Sequence, residues 1–233
     1  MNLSTTKLTY HDYLLLPDDG KRYEIIDGDL FVTPSPVTRH QLIVGRFLHH
    51  MMTYLETHPV GTVFTAPYDV VLSDTDIVEP DLLLVLHNGR AKITEKNVQG
   101  PPDMTLEVLS PGTAARDRDL KRKRYERFGV QEYWLVDPNQ NTLEILALKS
   151  GRYVQVCCAS HPAECASTLL PGLVLDLESL LKLRPLSSSA SSSIFFPLGL
   201  TLHGQLLPTG GQDSLYILRP LIDRLIPRKP TLL

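Results

Sequence analysis

Cysteine is scarce in this chain, and the three present, Cys157, Cys158 and Cys165, form neither a CxxC pair nor a histidine spacing that would hold zinc. They read as reduced thiols of a cytoplasmic protein. No apolar run reaches the roughly 18 to 20 residues that span a bilayer, and Met1 to Lys7 lacks the apolar core of a secretory signal, so neither a membrane nor a secreted protein is expected. The P-loop and the Rossmann fingerprint are missing, and Ser110-Pro111-Gly112 has no GxSxG context. Charge of one sign is missing too: a formal net charge of −3 and a pI near 6.2 give no global attraction to polyanions. Nucleic acid would therefore have to be met by a local basic surface. No internal repeat of 20 to 50 residues occurs.

What is present suffices for one substantial core and an appendage: 233 residues, 42% hydrophobic and 21% charged. The composition changes near Pro185, where Ser187 to Ser193 has the low complexity of a flexible linker. One principal domain is expected over 1–185, followed by a linker and tail over 186–233 that has no functional reading.

Within 1–185 the pattern alternates between strand and helix. Tyr23 to Val32 reads as a hairpin, because Asp27-Gly28 tolerates the positive φ angles of a type I′ turn. Thr38 as N-cap, Gln41 as its capping-box partner and a Val37/Leu42 staple open a helix whose apolar residues recur to about His58. Strand-like runs follow at Thr62 to Leu72 and Asp81 to Leu86, and Met104 to Leu109 is apolar enough to be a central strand buried on both faces. A helix from Ser110 or Thr113 to Phe128 precedes Gly129, which suits a left-handed cap, and three more strands cover Glu132 to Val136, Thr142 to Leu148 and Tyr153 to Cys157. The order predicts an α/β (α+β) fold: a mixed central β-sheet flanked by helices, with an N-terminal β-hairpin.

Three carboxylates stand among residues destined for the interior: Glu24 in the hairpin, Asp81 opening a Leu/Val strand, and Glu107 between Leu106 and Val108. An ionised acid is costly to bury unless a cation or hydrogen-bond donors compensate it, so these acids with Lys121 just beyond point to a hard-metal site. Asp81 and Glu107, on neighbouring strands, could share one Mg²⁺ or Mn²⁺ that activates water and stabilises a phosphoryl group.

The following helix adds Asp117, Lys121 and Tyr125 at i, i+4 and i+8. Residues 116 to 127 hold seven basic and three acidic side chains, among them Arg116, Arg122, Lys123 and Arg124, which read as a phosphate-binding surface. The alternative is a solvated helix with ordinary surface pairs. Of the eight histidines only His40, in the first turn of its helix, is placed to reach a pocket.

These residues resemble the Uma-two family, a branch of the PD-(D/E)xK nuclease superfamily. The likeness covers about residues 5 to 182 and rests on Tyr23 to Leu30, Glu79-Pro80-Asp81-Leu82, Leu106 to Pro111, the Asp117/Lys121/Tyr125 spacing and Gly129 to Pro138. It implies a restriction-endonuclease-like core, often dimeric, with Mg²⁺ as cofactor (Mn²⁺ as substitute) and DNA as partner. By it, Asp81 is the acid of the PD element, Glu107 that of the ExK element and Glu24 the accessory acid. Leu109 stands where the ExK lysine would fall, and Lys121, or less well spaced Lys123, replaces it. The expectation is a Mg²⁺-dependent endonuclease with Glu24, Asp81, Glu107 and Lys121 catalytic. The alternative is a catalytically silent nuclease-fold module for nucleic-acid binding or dimerisation, and hydrolysis of a non-nucleic phosphoester fits the same acids.

Overall fold

The computed structural model describes residues 7–161 and 163–182. The linker and tail expected over 186–233 lie outside the described residues.

A short helix, α1 (Tyr10–Tyr13), precedes the hairpin of β1 (Arg22–Ile26) and β2 (Asp29–Thr33). Asp27 and Gly28 turn it with φ of 54° and 75°, as the dipeptide predicts. Helix α2 (Thr38–Thr57) follows, then β3 (Gly61–Thr65), β4 (Val70–Ser73), β5 (Asp76–Val78), β6 (Leu82–Leu86), β7 (Lys92–Ile93), β8 (Val98–Gln99) and β9 (Met104–Val108). A π-helical segment, Arg116–Lys121, continues as α3 (Arg122–Phe128), which stops at Gly129 with φ of 84°. The described chain ends with β10 (Glu132–Asp137), β11 (Thr142–Lys149), β12 (Arg152–Ser160), β13 (Glu164–Ala166), β14 (Val174–Asp176) and α4 (Leu177–Leu181).

The central sheet has the order β12-β11-β10-β9-β6-β3, with β9 and β10 parallel and the other pairs antiparallel. The hairpin belongs to a second sheet, β2-β1-β5-β4-β8-β7. Strand periodicity explains how the central sheet is buried on both sides. Leu82, Leu84, Met104, Leu106, Trp134 and Val136 face one cluster with Ile43, Phe47 and Met51 of α2. The alternate residues Leu83, Val85, Tyr133 and Leu135 face another, with Tyr125 of α3 and Ile26, Val70 and Val78 of the second sheet. Glu107 shares the parity of this second set. It therefore points toward α3 and the hairpin sheet.

Several expectations need correction. Helix α2 is capped by Val37 with no side-chain hydrogen bond, so the capping box of Thr38 and Gln41 does not form. The run Thr62 to Leu72 is not one strand: it divides at the cis Ala66–Pro67 peptide, and its halves join different sheets. Cys157 and Cys165 form a disulfide where reduced thiols were expected, while Cys158 is free and exposed. Their approach depends on how β12 and β13 pack, which spacing in the sequence does not reveal. No helix of the described residues is long and apolar enough to cross a membrane.

Candidate active site

The strand register brings the two principal acids together. Antiparallel β6 and β9 pair Leu82 with Leu106 and Leu84 with Met104, so Asp81 stands opposite Glu107 at the end of the ladder. Both line one cavity of about 260 Å³, together with Lys121, Asp117, Arg116 and His40.

Each acid is buried and held by different partners. Asp81 accepts from the backbone N–H of Val108 at 2.9 Å and from Arg22 at 3.1 Å, and its other contact is His40 Nε2 at 3.0 Å. Burial alone would raise its pKa, but His40, Arg22 and the Val108 amide outweigh that and bring it down to about 2. Glu107 meets Lys121 Nζ at 2.8 Å and accepts from the Tyr125 hydroxyl at 3.0 Å, both at Oε1. Glu24 accepts from Lys121 at 2.7 Å, from the Glu79 amide at 2.9 Å, and lies 3.2 Å from Arg116.

Lys121 is therefore a shared cation, 1% exposed, between two buried acids that titrate in opposite directions. Burial raises the Glu107 pKa, and the nearby charges of Asp117, Asp81 and Glu24 raise it further against the pull of Lys121. Burial would raise Glu24 as well, yet Lys121 and the additional cation Arg116 bring it below the ordinary carboxylate value. The same acids hold Lys121 protonated, above the ordinary lysine value, despite its burial. Asp117 lies 3.8 Å from Lys121 and has a buried Oδ1 with no hydrogen-bond partner. A wide π-helical turn lets both Asp117 and Lys121 face inward.

The anticipated nucleic-acid-binding residues behave differently from one another. Arg124 is committed to the hairpin turn, 2.7 Å from Asp27 and 3.4 Å from Asp76. Arg116 lies at the cavity but is engaged by Glu24, by Thr33 Oγ1 at 2.8 Å and by the ring of Phe31. Lys123 is exposed and pairs with Asp119 at 2.8 Å, which leaves Lys121 as the lysine near the acids. Arg122 is half-buried. One residue that sequence reasoning missed, Arg22, completes the network. Arg22 bridges Asp81 and Glu79, and Glu79, raised to about 7 chiefly by burial, receives Tyr13 as well. The strand period was the available signal, since Arg22 and Glu24 are two apart and share a face.

Among the described residues no group of three or more His, Cys, Asp or Glu side chains is arranged to hold a metal ion. The paired acids Asp81 and Glu107 still fit Mg²⁺, an ion bound through one or two carboxylates that keeps several of its waters. Glu107 is raised chiefly by burial and further by the charges of Asp117, Asp81 and Glu24, and a divalent cation beside it would offset both.

A family model described as "Uma2: Putative restriction endonuclease" matches residues 10–178. Comparison with curated proteins gives no match. Among solved structures the chain is similar to a "putative nuclease belonging to DUF820 from Anabaena variabilis ATCC 29413", with a TM-score of 0.63 and 19% identity over 75% of this chain and 97% of that one. At such identity the likeness concerns the fold.

Proposed function

The chain belongs to the Uma2 family of restriction-endonuclease-like proteins, and on that premise we propose that it hydrolyses DNA phosphodiester bonds with Mg²⁺, for which Mn²⁺ can substitute. The observation that carries the reading is the placement of Asp81 opposite Glu107 at the end of β6 and β9, in one cavity with Lys121. Asp81 and Glu107 would hold the ion. When bound, it would polarise the phosphoryl group, lower the pKa of a bound water and neutralise the leaving oxygen.

The remaining roles follow from the contacts. Lys121 works against the rise in the Glu107 pKa and offers positive charge to the phosphate. Glu24 acts as a positioning residue, holding Lys121 at 2.7 Å. His40 and Arg22 fix the Asp81 carboxylate, and the Tyr125 hydroxyl orients Glu107. We further take residues 1–185 as the nuclease unit, acting as a homodimer in the cytoplasm.

The test is nuclease assay with Mg²⁺ or Mn²⁺ on several DNA forms, comparing wild type with Asp81→Ala and Glu107→Ala. Loss of turnover in both variants is expected; equal activity in all three proteins rejects the assignment. A second reading, a module that binds DNA without cleaving it, is favoured by one observation: both oxygens of Asp81 already have partners within the protein. It predicts DNA binding without turnover, little changed by Asp81→Asn.

A further inference from the structure

The cavity carries cations of two kinds. Arg22, Arg116 and Lys121 each lie within 4.0 Å of a carboxylate: Arg22 with Asp81 and Glu79, Arg116 with Glu24, Lys121 with Glu24 and Glu107. Their charge is spent internally. Arg39 also lines the cavity, yet among the described residues it has no carboxylate partner. Its NH2 group donates to the neutral Asn141 Oδ1 at 2.7 Å, and its Nε is buried without a hydrogen-bond partner.

The location of Arg39 sharpens the point. It is the second residue of α2, a helix of 20 residues whose first turn holds no acid and whose cap, Val37, supplies no side-chain acceptor. Helix N-termini carry partial positive charge and unpaired N–H groups, so an acid there is favourable and an arginine is not. This first turn instead presents Arg39 and His40. The His40 side chain is 10% exposed, with Nε2 on Asp81 and a buried Nδ1 that has no partner. Helix end and arginine thus concentrate positive potential at the cavity wall, and an anion is the ligand such an arrangement favours.

We propose that the first turn of α2, with Arg39 as its charged group, binds a backbone phosphate of the DNA beside the bond held at Asp81 and Glu107. This deepens the DNA reading above and moves the phosphate contact from the π-helical segment and α3, where Arg116 and Arg124 are engaged by acids, to α2. Asn141 acts as the brace that holds the guanidinium against the cavity wall. The contact is to a phosphate, so it supplies affinity and register and is blind to base sequence.

The test is binding of a labelled DNA duplex by fluorescence anisotropy across a salt series, with Ca²⁺ in place of Mg²⁺ to hold the duplex intact. The proteins are wild type, Arg39→Gln, Arg39→Lys and, as a control that removes one exposed charge far along β11, Lys149→Gln. Arg39→Gln is expected to weaken binding about tenfold and to flatten the slope of log K against log salt by about 0.9, the value for one lost phosphate contact. Arg39→Lys should retain the slope, and Lys149→Gln should match wild type; unchanged melting temperatures would show that the variants are folded. Wild-type affinity and slope in Arg39→Gln overturn the proposal whether or not cleavage is seen, as does a wild type that binds no duplex. An Arg39 effect in a protein that never cleaves DNA leaves this site standing and removes the nuclease reading alone.

Discussion

Lys121 Nζ stands 2.8 Å from Glu107 Oε1 across fourteen residues and two different elements. Leu109, two positions beyond Glu107, packs in the apolar cluster between the sheets, so the cation comes from the helix that follows the strand. Lys121→Met would leave Glu107 buried with no cation beside it and Glu24 with Arg116 alone. Breaking a buried pair in this way costs about 3 to 5 kcal/mol. Urea unfolding should show that loss, and the double variant Lys121→Met/Glu107→Gln should recover part of it; a single variant as stable as wild type would contradict the buried network.

A bound ion should also be visible without turnover. Anything that binds only the folded state stabilises it by about 2.7 kcal/mol at a hundred times its dissociation constant. Mg²⁺ is therefore expected to raise the melting temperature of the wild type and to leave Asp81→Asn/Glu107→Gln unmoved. A wild type indifferent to Mg²⁺ and Mn²⁺ would remove both acids from the role of ligands.

Glu132 offers a test of the scaffold alone. Its buried carboxylate accepts from Trp134 Nε1 and Ser167 Oγ at 2.8 Å, from Thr168 N and Oγ1 at 2.6 Å, and from Leu169 N at 2.9 Å. Glu132→Ala strands these donors and is expected to cost about 3 kcal/mol. Hydrogen exchange should accelerate at residues 167–169, and none of this should appear in Glu132→Asp if the shorter acid still reaches the loop.

Acid sensitivity follows from Glu126. Its pKa lies below the usual glutamate value, chiefly because it accepts the Tyr153 N–H at 2.7 Å, with Arg152 at 3.0 Å adding to the effect. A depressed acid stabilises the fold at pH values above its unfolded pKa, and that contribution disappears as pH falls through the lower folded value. The stability gap between wild type and Glu126→Gln should therefore be constant near neutrality and close as pH drops below about 4.5. A gap that widens toward low pH would reverse the sign of this argument.

Much of the frame is legible in the sequence because local physics sets it. Asp27-Gly28 turns a hairpin, and Gly129 ends a helix, because each adopts a positive φ. The alternation of β6 and β9 side chains between the two apolar clusters follows from a period of two applied to an apolar run. Capping was less legible: the Thr38 box competes with Val37 as the cap, and no side-chain bond decides in its favour. Short strands such as β7, β8, β13 and β14 left no pattern to read, since two or three residues cannot display a period.

By itself the sequence determined that Glu107 would be buried, since between Leu106 and Val108 it follows its strand inward whatever surrounds it. Only tertiary structure decided who compensates it and the other buried acids. The compensating groups come from elements remote along the chain, with Arg22 and His40 on Asp81, Lys121 between Glu24 and Glu107, and Arg124 drawn to Asp27 and Asp76. Coulomb energy depends on distances through space, and seven basic residues in one stretch look alike until packing assigns each a partner. Among the described residues packing also left Arg39 without an acid, a difference that composition and spacing do not contain.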